Sequence, residues 1–449
     1  MSPYTWLVSN ALFPMHEKLK GHTTIQVHKQ LERSQWLSPT EVAALQNKRL
    51  RSFLCDIGEK VPYYRDLFAE IKFDPGAVGC VADLQKLPLL GKPDIRANMD
   101  NMTAVDAGQL QRFNTGGSSG EPLIFMLGNE RVSHDVAAKR RATRWWGVDI
   151  GDPEIVVWGS PIELNAQDRL RLLRDKLFRT RLLSAFEMSE KNLDSFVASI
   201  RRARPKMLFG YPSSLSHIAK YADDRGINMQ DLGIRVAFVT SERLYDHQRQ
   251  QIERTFACRV ANGYGGRDAG FIAHECPAGS LHITAEDIIV EILKPDGSIA
   301  PPGESGEIVV THMATRDFPF VRYKTGDIGA IDEKPCSCNR GLPVLKELQG
   351  RTTDFLVAMD GTVMHGLALI YVLRDLQGVK EFKIIQESLD LVRVLVVPDS
   401  QWDKTIKGAI VDGFRERLGR SVIVEVEVKT EIEAEASGKR RYVVSHVTL

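Results

Sequence analysis

From about residue 150 the chain alternates short, unbroken apolar runs with amphipathic stretches. The segments EIVVWG (154–159), PKMLFG (205–210) and RVAFVTSE (235–242) have strand length and few polar interruptions. Between them, KNLDSFVASIRRA (191–203) and SLSHIAKYADDRG (214–226) place apolar residues at helical spacing. This alternation predicts an α/β fold with a largely buried sheet.

Beyond residue 280 the period changes. LHITAEDIIVEILKPDG (281–297) and SGEIVVTHM (305–313) alternate with period two and are bounded by Pro-Asp-Gly and Gly-Glu-Ser-Gly turns, which predicts antiparallel strands in a β-rich portion. After LQGRTTDFLVAMDG (348–361) come strand EFKIIQES (381–388), strand LVRVLVVPD (391–399), helix KTIKGAIVDGFRERLG (404–419) and strand VIVEVEVKT (422–430). They predict a small α+β domain hinged near residue 352.

Composition adds boundary conditions. At 449 residues and 43% hydrophobic, the chain can bury several sizeable cores. Lys plus Arg (59) balances Asp plus Glu (58), so no bulk field draws it to nucleic acid or an acidic membrane. No apolar run reaches the ~18–20 residues of a membrane span. The stretch MSPYTWLVSNALFPMHEK lacks the marks of a signal peptide, and the expectation is a cytoplasmic protein. Six cysteines are too few for a disulfide scaffold in such a chain.

The densest chemical signal is RFNTGGSSGEPLIF (112–125). Glycines and small hydroxyl residues let a backbone turn tightly and aim several N–H groups at one anion. Alone, such a loop is more often a plain turn or flexible loop between strands, and it is not the G-x-x-x-x-G-K-[ST] nucleoside-triphosphatase pattern.

Four further motifs follow in order: NGYGGRDAG (262–270), RYKTGDIG (322–329), LQGRTTDFLV (348–357) and EASGKRRYVV (435–444). Together with the loop they resemble the nucleotide-site motifs of the adenylate-forming superfamily of acyl-CoA synthetases, adenylation domains and luciferases. Within it, KVPYYRDLF (60–68), FGYPSSL (209–215), VTSERL (239–244) and CSCNRG (336–341) are similar to landmarks of the phenylacetate-coenzyme A ligase branch and its relatives in capsular polysaccharide clusters.

The resemblance implies a site. Thr115, Gly116, Gly117, Ser118, Ser119 and Gly120 would wrap the β- and γ-phosphates of ATP, and Tyr264 would stack on adenine beside Ser241, Glu242 and Gly265. Asp327 would accept the ribose hydroxyls, as an ionised carboxylate can, with Arg351 beside it. In isolation, TGD is also an ordinary turn with a backbone-capping Asp. Asp268 stands where the family has a Mg²⁺-holding Glu. Lys439, on a mobile C-terminal domain, would stabilise charge as a carboxylate attacks the α-phosphate. Tyr211 and Asn262 are candidates for the acid pocket. Three positions depart from the pattern: Glu121 for Lys in the loop, Arg267 for a phosphate-contacting Thr, and Thr353 for Asp at the hinge, with Asp354 next to it.

Cys276, Cys336 and Cys338 with one histidine would make a closed, structural Zn²⁺ set, and His282 is preferred to His274 as the fourth ligand. The plain alternative is buried free thiols, the role expected of Cys55, Cys80 and Cys258. AQDRLRLLRDKLFRTRLL (166–183) reads as a basic amphipathic helix: a solvated face, or a dock for coenzyme A phosphates or an acidic carrier protein. His134, His217 and His247 show no partner at ligand or triad spacing and are expected in the core or lining a pocket.

The predicted architecture is a large N-terminal domain (1–351) of stacked α/β subdomains and a β-rich portion, with a small mobile lid domain (352–449). The predicted reaction joins an acid, aryl by the resemblance, to AMP with release of pyrophosphate, then passes the acyl group to coenzyme A. A carrier protein or an amine is the alternative acceptor. From another class, a catalytically silent, zinc-containing nucleotide-binding protein is the remaining reading. The cofactors implied are ATP, Mg²⁺, coenzyme A and structural Zn²⁺. The oligomeric state stays open, a homodimer included.

Overall fold

In the computed structural model, residues 2–115, 123–158, 169–185, 188, 190–349, 355–374, 376–432 and 443–447 are described. A large N-terminal domain is built on one continuous sheet of eleven strands, and a small C-terminal domain on a separate four-stranded sheet. The junction predicted at residues 351 and 352 lies outside the described residues.

Five strands of the large sheet run parallel in the order Thr180–Ser184, Glu154–Trp158, Met207–Gly210, Val236–Thr240 and Arg259–Gly266. Every residue of Met207–Gly210 and Val236–Thr240 is buried. That is why their sequences are apolar throughout: a parallel strand covered on both faces offers no solvated side. Helices Glu190–Ala203, Pro212–Asp224 and Asp246–Phe256 close one face, where Ile200, Leu215, Ile252 and Phe256 meet Leu208, Ala237 and Val239 in a common core.

Arg259–Gly266 is the turning point, parallel to Val236–Thr240 on one side and antiparallel to Gly270–Glu275 on the other. From there the sheet continues antiparallel through Leu281–Ile283, Val344–Gln349, Tyr323–Ile331, Gly306–His312 and Ile288–Leu293. The β-rich portion anticipated from sequence is thus the second half of the same sheet.

The 166–183 stretch is not one helix. Helix Arg169–Phe178 ends where Arg179 takes a left-handed φ of 58°, and strand Thr180–Ser184 follows at once. The apolar residues Leu182 and Leu183 belong to sheet pairing with Val156 and Val157.

Helices also cover the N-terminal side, the longest being Pro39–Lys60. There Ser38 Oγ accepts from the Glu41 N–H while the Glu41 carboxylate accepts from the Ser38 N–H, a capping box that starts the helix. None of the described helices is long and apolar enough to cross a membrane.

In the C-terminal domain, Val379–Gln386 and Leu391–Pro398 pair antiparallel and are flanked by Val443–Ser445 and Ile423–Val428 in parallel. Burial alternates along both central strands, so one face carries the core. Ile410, Phe414 and Leu418 of helix Lys404–Leu418 pack there on Ile384 and Val394.

Candidate functional site

The parallel strands all end on one side of the sheet, and the candidate residues collect there. Trp158 ends its strand, Tyr211 follows Gly210, Ser241 follows Thr240, and Gly210, Val239 and Asn262 lie in one cross-strand row. In open α/β sheets ligands bind outside the carboxyl ends of the strands, where the topology switches. Here the strand order reverses between Glu154–Trp158 and Met207–Gly210, beside Trp158 and Tyr211, and the pairing turns antiparallel at the strand carrying NGYGG.

Thr115 stands at the mouth of the glycine loop. Strands Gln111–Asn114 and Ile124–Leu127 form a hairpin; the Thr115 N–H donates to Leu123 O at 3.0 Å, and the Leu123 N–H donates to Thr115 Oγ1 at 2.9 Å. The loop between them, Gly116 to Gly120 with Glu121, lies outside the described residues, as do Arg351, Thr353, Asp354 and Lys439.

Tyr264 is buried, and its hydroxyl donates to Asp327 Oδ2 at 3.0 Å. Three strands separate their two strands in the sheet order. At ~4.8 Å per strand a flat sheet would hold them ~19 Å apart, too far for one phenol to span, so this half of the sheet curls back on itself. The pairing between Val344–Gln349 and Leu281–Ile283 is only two residues long, which leaves room for that curl.

The TGD segment is not a turn between strands. It bulges within Tyr323–Ile331: opposite Gly306–His312 the register steps from Glu307 facing Ile328 to Val309 facing Lys324, so Thr325, Gly326 and Asp327 are set against Ile308 alone. Thr325 Oγ1 donates to Ile308 O at 2.8 Å and accepts from the Asp327 N–H at 3.1 Å. The bulge is tied at both ends and presents Asp327 to Tyr264.

The Arg267–Gly270 turn follows Tyr264. Asp268 Oδ2 accepts from the Tyr323 hydroxyl at 2.7 Å and Oδ1 from the Ala269 N–H at 3.1 Å. Each carboxylate oxygen keeps a lone pair, which suits a one-carboxylate Mg²⁺ contact. Gly265 is forced, because a Cβ there would stand 2.1 Å from Gly270 O. Ser241 has a left-handed φ of 72°, and beside it Glu242 Oε2 accepts from Ser213 Oγ at 2.5 Å. Backbone held in that region concentrates at ligand sites.

Of the acid-pocket candidates, Tyr211 stacks on Trp158 with ring centroids 4.4 Å apart, and Trp158 stacks in turn on Phe209 at 6.1 Å. The Asn262 N–H donates to Glu275 Oε2 at 2.8 Å, while its side-chain Oδ1 is buried with no partner among the described residues. Trp158, Tyr323, Thr325 and Ser213 lie inside the quoted segments, but sequence assigned none of them a role, because Tyr211, Asp268, Ile308 and Glu242, which reveal it, come from other elements.

A second cluster lies where Gly270–Glu275, Leu281–Ile283 and the loop before Val344 meet. Ligand atoms of Cys276, His282, Cys336 and Cys338 all fall within 4.8 Å of one another. Cys276 Sγ and Cys336 Sγ are 3.6 Å apart, and Cys338 Sγ lies 3.2 Å from His282 Nε2. A tetrahedral zinc with ~2.3 Å Zn–S bonds has edges of roughly 3.8 Å, so the spacing fits. His282 Nδ1 donates to Leu342 O at 3.1 Å, which turns the Nε2 lone pair toward the thiols. Burial pulls the His282 pKa down to about 4, so its ring is neutral, and pushes the Cys276 thiol up to about 12. Burial also raises Cys336, but hydrogen bonds from Ser280 and from Cys338 outweigh it and hold that thiol below its ordinary value.

His274 is elsewhere, buried beside Phe271 and Phe238. Cys258 is buried as expected, but Cys55, in helix Pro39–Lys60, and Cys80, before the short turn Val81–Lys86, are exposed. His247 is also exposed, stacked on Tyr245, where a core or pocket place was expected. His134 is fully buried beside its chain neighbour Asp135 and beside Asp287, the second being invisible at sequence spacing.

Comparison with known proteins finds relatives over most of the chain. Residues 356–446 match the family described as the CapK C-terminal domain. Protein CapK of Staphylococcus aureus is 26% identical over 90% of this chain and 89% of its own length. Phenylacetate-coenzyme A ligase of Pseudomonas putida is 27% identical over 72% of this chain and 74% of its own. Among solved structures, 2-hydroxyisobutyryl-CoA ligase in complex with 2-HIB-AMP and CoA superposes with a TM-score of 0.67 at 18% identity, over 92% of this chain and 91% of that one.

Proposed function

Because the chain belongs to the adenylate-forming ligase superfamily, in the branch of CapK and the phenylacetate-coenzyme A ligases, we propose that it activates a carboxylic acid with ATP and transfers it to coenzyme A. The observation that carries this reading is the Tyr264–Asp327 contact at the carboxyl ends of the parallel strands, next to the Asp268 turn and the mouth of the glycine loop. An aromatic ring and two carboxylates, the groups this reading needs for adenine, ribose and metal, lie on neighbouring segments there.

In the first half-reaction a carboxylate oxygen bonds to the α-phosphorus, the bond from that phosphorus to the bridging oxygen breaks, and pyrophosphate leaves. Thr115 to Gly120 would hold the β- and γ-phosphates, Asp268 would hold a Mg²⁺ ion, whose chemistry there would be to offset phosphate charge, and Lys439 would stabilise the charge developing on the α-phosphate. Asp327 and Arg351 hold the ribose, and Tyr264, Ser241, Glu242 and Gly265 line the adenine. In the second half-reaction the coenzyme A sulfur, having lost its proton to solvent, attacks the acyl carbon and AMP leaves.

The stacked rings of Trp158, Tyr211 and Phe209 favour a flat, aryl acid, with Asn262 Oδ1 as an acceptor at the pocket wall. Cys276, His282, Cys336 and Cys338 would hold a closed Zn²⁺ that ties the antiparallel half together and takes no part in the chemistry.

Acid-dependent ATP–pyrophosphate exchange over a panel of aryl, fatty and hydroxy acids tests the reading. Exchange driven by aryl acids and lost in Lys439→Ala is expected. ATP and Mg²⁺ binding with no exchange for any acid would instead favour the silent nucleotide-binding protein.

A further inference from the structure

Behind the Arg267–Gly270 turn lies a buried polar cluster that the proposed chemistry does not use. Arg131, on helix Asn129–Trp145, is 1% exposed. Its Nε donates to both oxygens of Asp135, at 3.1 and 3.0 Å. Its two terminal nitrogens donate forward to backbone carbonyls of the turn, Nη1 to Asp268 O at 3.4 Å and Nη2 to Arg267 O at 3.3 Å.

We propose that Arg131 is a positioning residue for the Asp268 carboxylate: its guanidinium, braced by Asp135, grips the carbonyls of residues 267 and 268 from behind and sets where that carboxylate meets the metal on the nucleotide. This rests on the metal role proposed for Asp268 above. The guanidinium suits the task because its fork offers donors in three directions within one rigid plane, which an ammonium does not.

The surroundings support a built device. Gly270 has a left-handed φ of 86°, and a Cβ there would fall 2.8 Å from His312 and 2.9 Å from Arg131 Nη2, so the turn lies as close to the cluster as backbone can. His312 Nδ1 accepts from the Ala314 N–H at 3.2 Å, which places the ring proton on Nε2, 3.9 Å from Asp135 Oδ1. That tautomer leaves Nε2 without a lone pair for a metal, so the role left to Asp135, between His134, His312 and Arg131, is to brace the guanidinium. From the front, Tyr323 holds the same carboxylate at 2.7 Å. Asp268 is thus fixed by its side chain from one element and by its backbone from another.

The test uses the full-length protein with Arg131→Lys, which keeps the charge but reaches one carbonyl at most, and Arg131→Gln as a second variant if lysine is not tolerated. Asp268→Asn is measured alongside. ATP affinity is determined with and without Mg²⁺, and amide hydrogen exchange is followed over residues 266–271 at a temperature where each variant is folded. We expect faster exchange confined to that segment and a loss of about tenfold in the Mg²⁺-dependent gain in ATP affinity, with metal-free ATP binding unchanged. A protein in which Arg131 only stabilises the fold would lose melting temperature and keep the Mg²⁺-dependent gain. If Asp268→Asn abolishes that gain while both Arg131 variants retain it, with wild-type exchange, this proposal alone is overturned. If Asp268→Asn retains it, the metal role of Asp268 falls and this proposal with it.

Discussion

The Tyr264 hydroxyl and the Asp327 carboxylate meet at 3.0 Å although their strands are separated by three others in the sheet. The contact depends on the curl of the antiparallel half and on the bulge that lifts Asp327 out of its ladder, so it reports on both. Asp327→Ala removes the proposed ribose acceptor, and AMP and ATP affinity should fall together by roughly 10- to 100-fold, as loss of hydrogen bonds to a charged acceptor implies. Tyr264→Phe keeps the stacking ring and frees the carboxylate, and should cost about threefold to tenfold. Calorimetric titration with AMP checks both, and wild-type affinity in Asp327→Ala would remove the ribose role.

The four zinc-set residues come from three separate segments, so a metal there would pin the antiparallel half at the strand pairing that is shortest, Val344 with His282 and Leu345 with Leu281. Purified protein should carry about one zinc per chain by elemental analysis. Cys276→Ser and Cys338→Ser should each lose it and lower the melting temperature, whereas His274→Ala should keep the metal. Prolonged chelation of the wild type should reproduce the melting shift of the cysteine variants. Full zinc content in Cys276→Ser would show that the ion is held elsewhere.

Much of the α/β framework was legible because its signals are local. EIVVWG, PKMLFG and RVAFVTSE became parallel strands, and the C-terminal strand–strand–helix–strand series runs within a residue or two of its expected limits. What was not legible depends on distance along the chain. Helical spacing in 166–183 hid the switch at Arg179, because Leu182 and Leu183 satisfy a helix pattern and a buried strand equally well. TGD reads as a turn until its ladder is seen, and Arg131 reads as one more helix arginine until the turn at 267–268, more than 130 residues later, is folded against it. His134 gave no sign of Asp287 for the same reason: that carboxylate approaches from another element.

Gly265 ties a readable motif to a geometric necessity. The pairing between Arg259–Gly266 and Gly270–Glu275 slips between Tyr264 and Gly265, and the slip brings Gly270 O within 2.1 Å of where a Cβ would stand. Gly265→Ala must open the turn, and Tyr264 and Asp268 on either side of it move with it. The variant should lose about 2–4 kcal/mol of stability, as overpacking against fixed backbone does, and bind ATP at least tenfold more weakly. Chemical denaturation and nucleotide titration check the two effects, and a variant with wild-type values in both would mean the slip is not needed.

His134 gives stability a pH dependence whose sign can be worked out. Burial alone would lower its pKa, but Asp135 and Asp287, at 3.8 and 3.4 Å, outweigh burial and raise it to about 9. These are charge contacts at ion-pair distance, with Arg131 and Arg49 on the far sides of the two carboxylates and a neutral His312 ring against His134. The folded pKa lies above the ordinary 6.5, so the contribution is full below pH 6.5, declines as pH rises, and is gone above pH 9. The difference between those two pKa values amounts to roughly 3 kcal/mol. The same contact, seen from its partner, holds Asp287 down at about 2. Urea unfolding from about pH 5 to about pH 10 should show wild-type stability falling across the alkaline half of that range. In His134→Gln stability should be lower at pH 6 and nearly flat from there to pH 9, because Gln fills the space but cannot carry the charge that Asp135 and Asp287 face. A variant whose curve runs parallel to the wild type would assign the alkaline loss to another group.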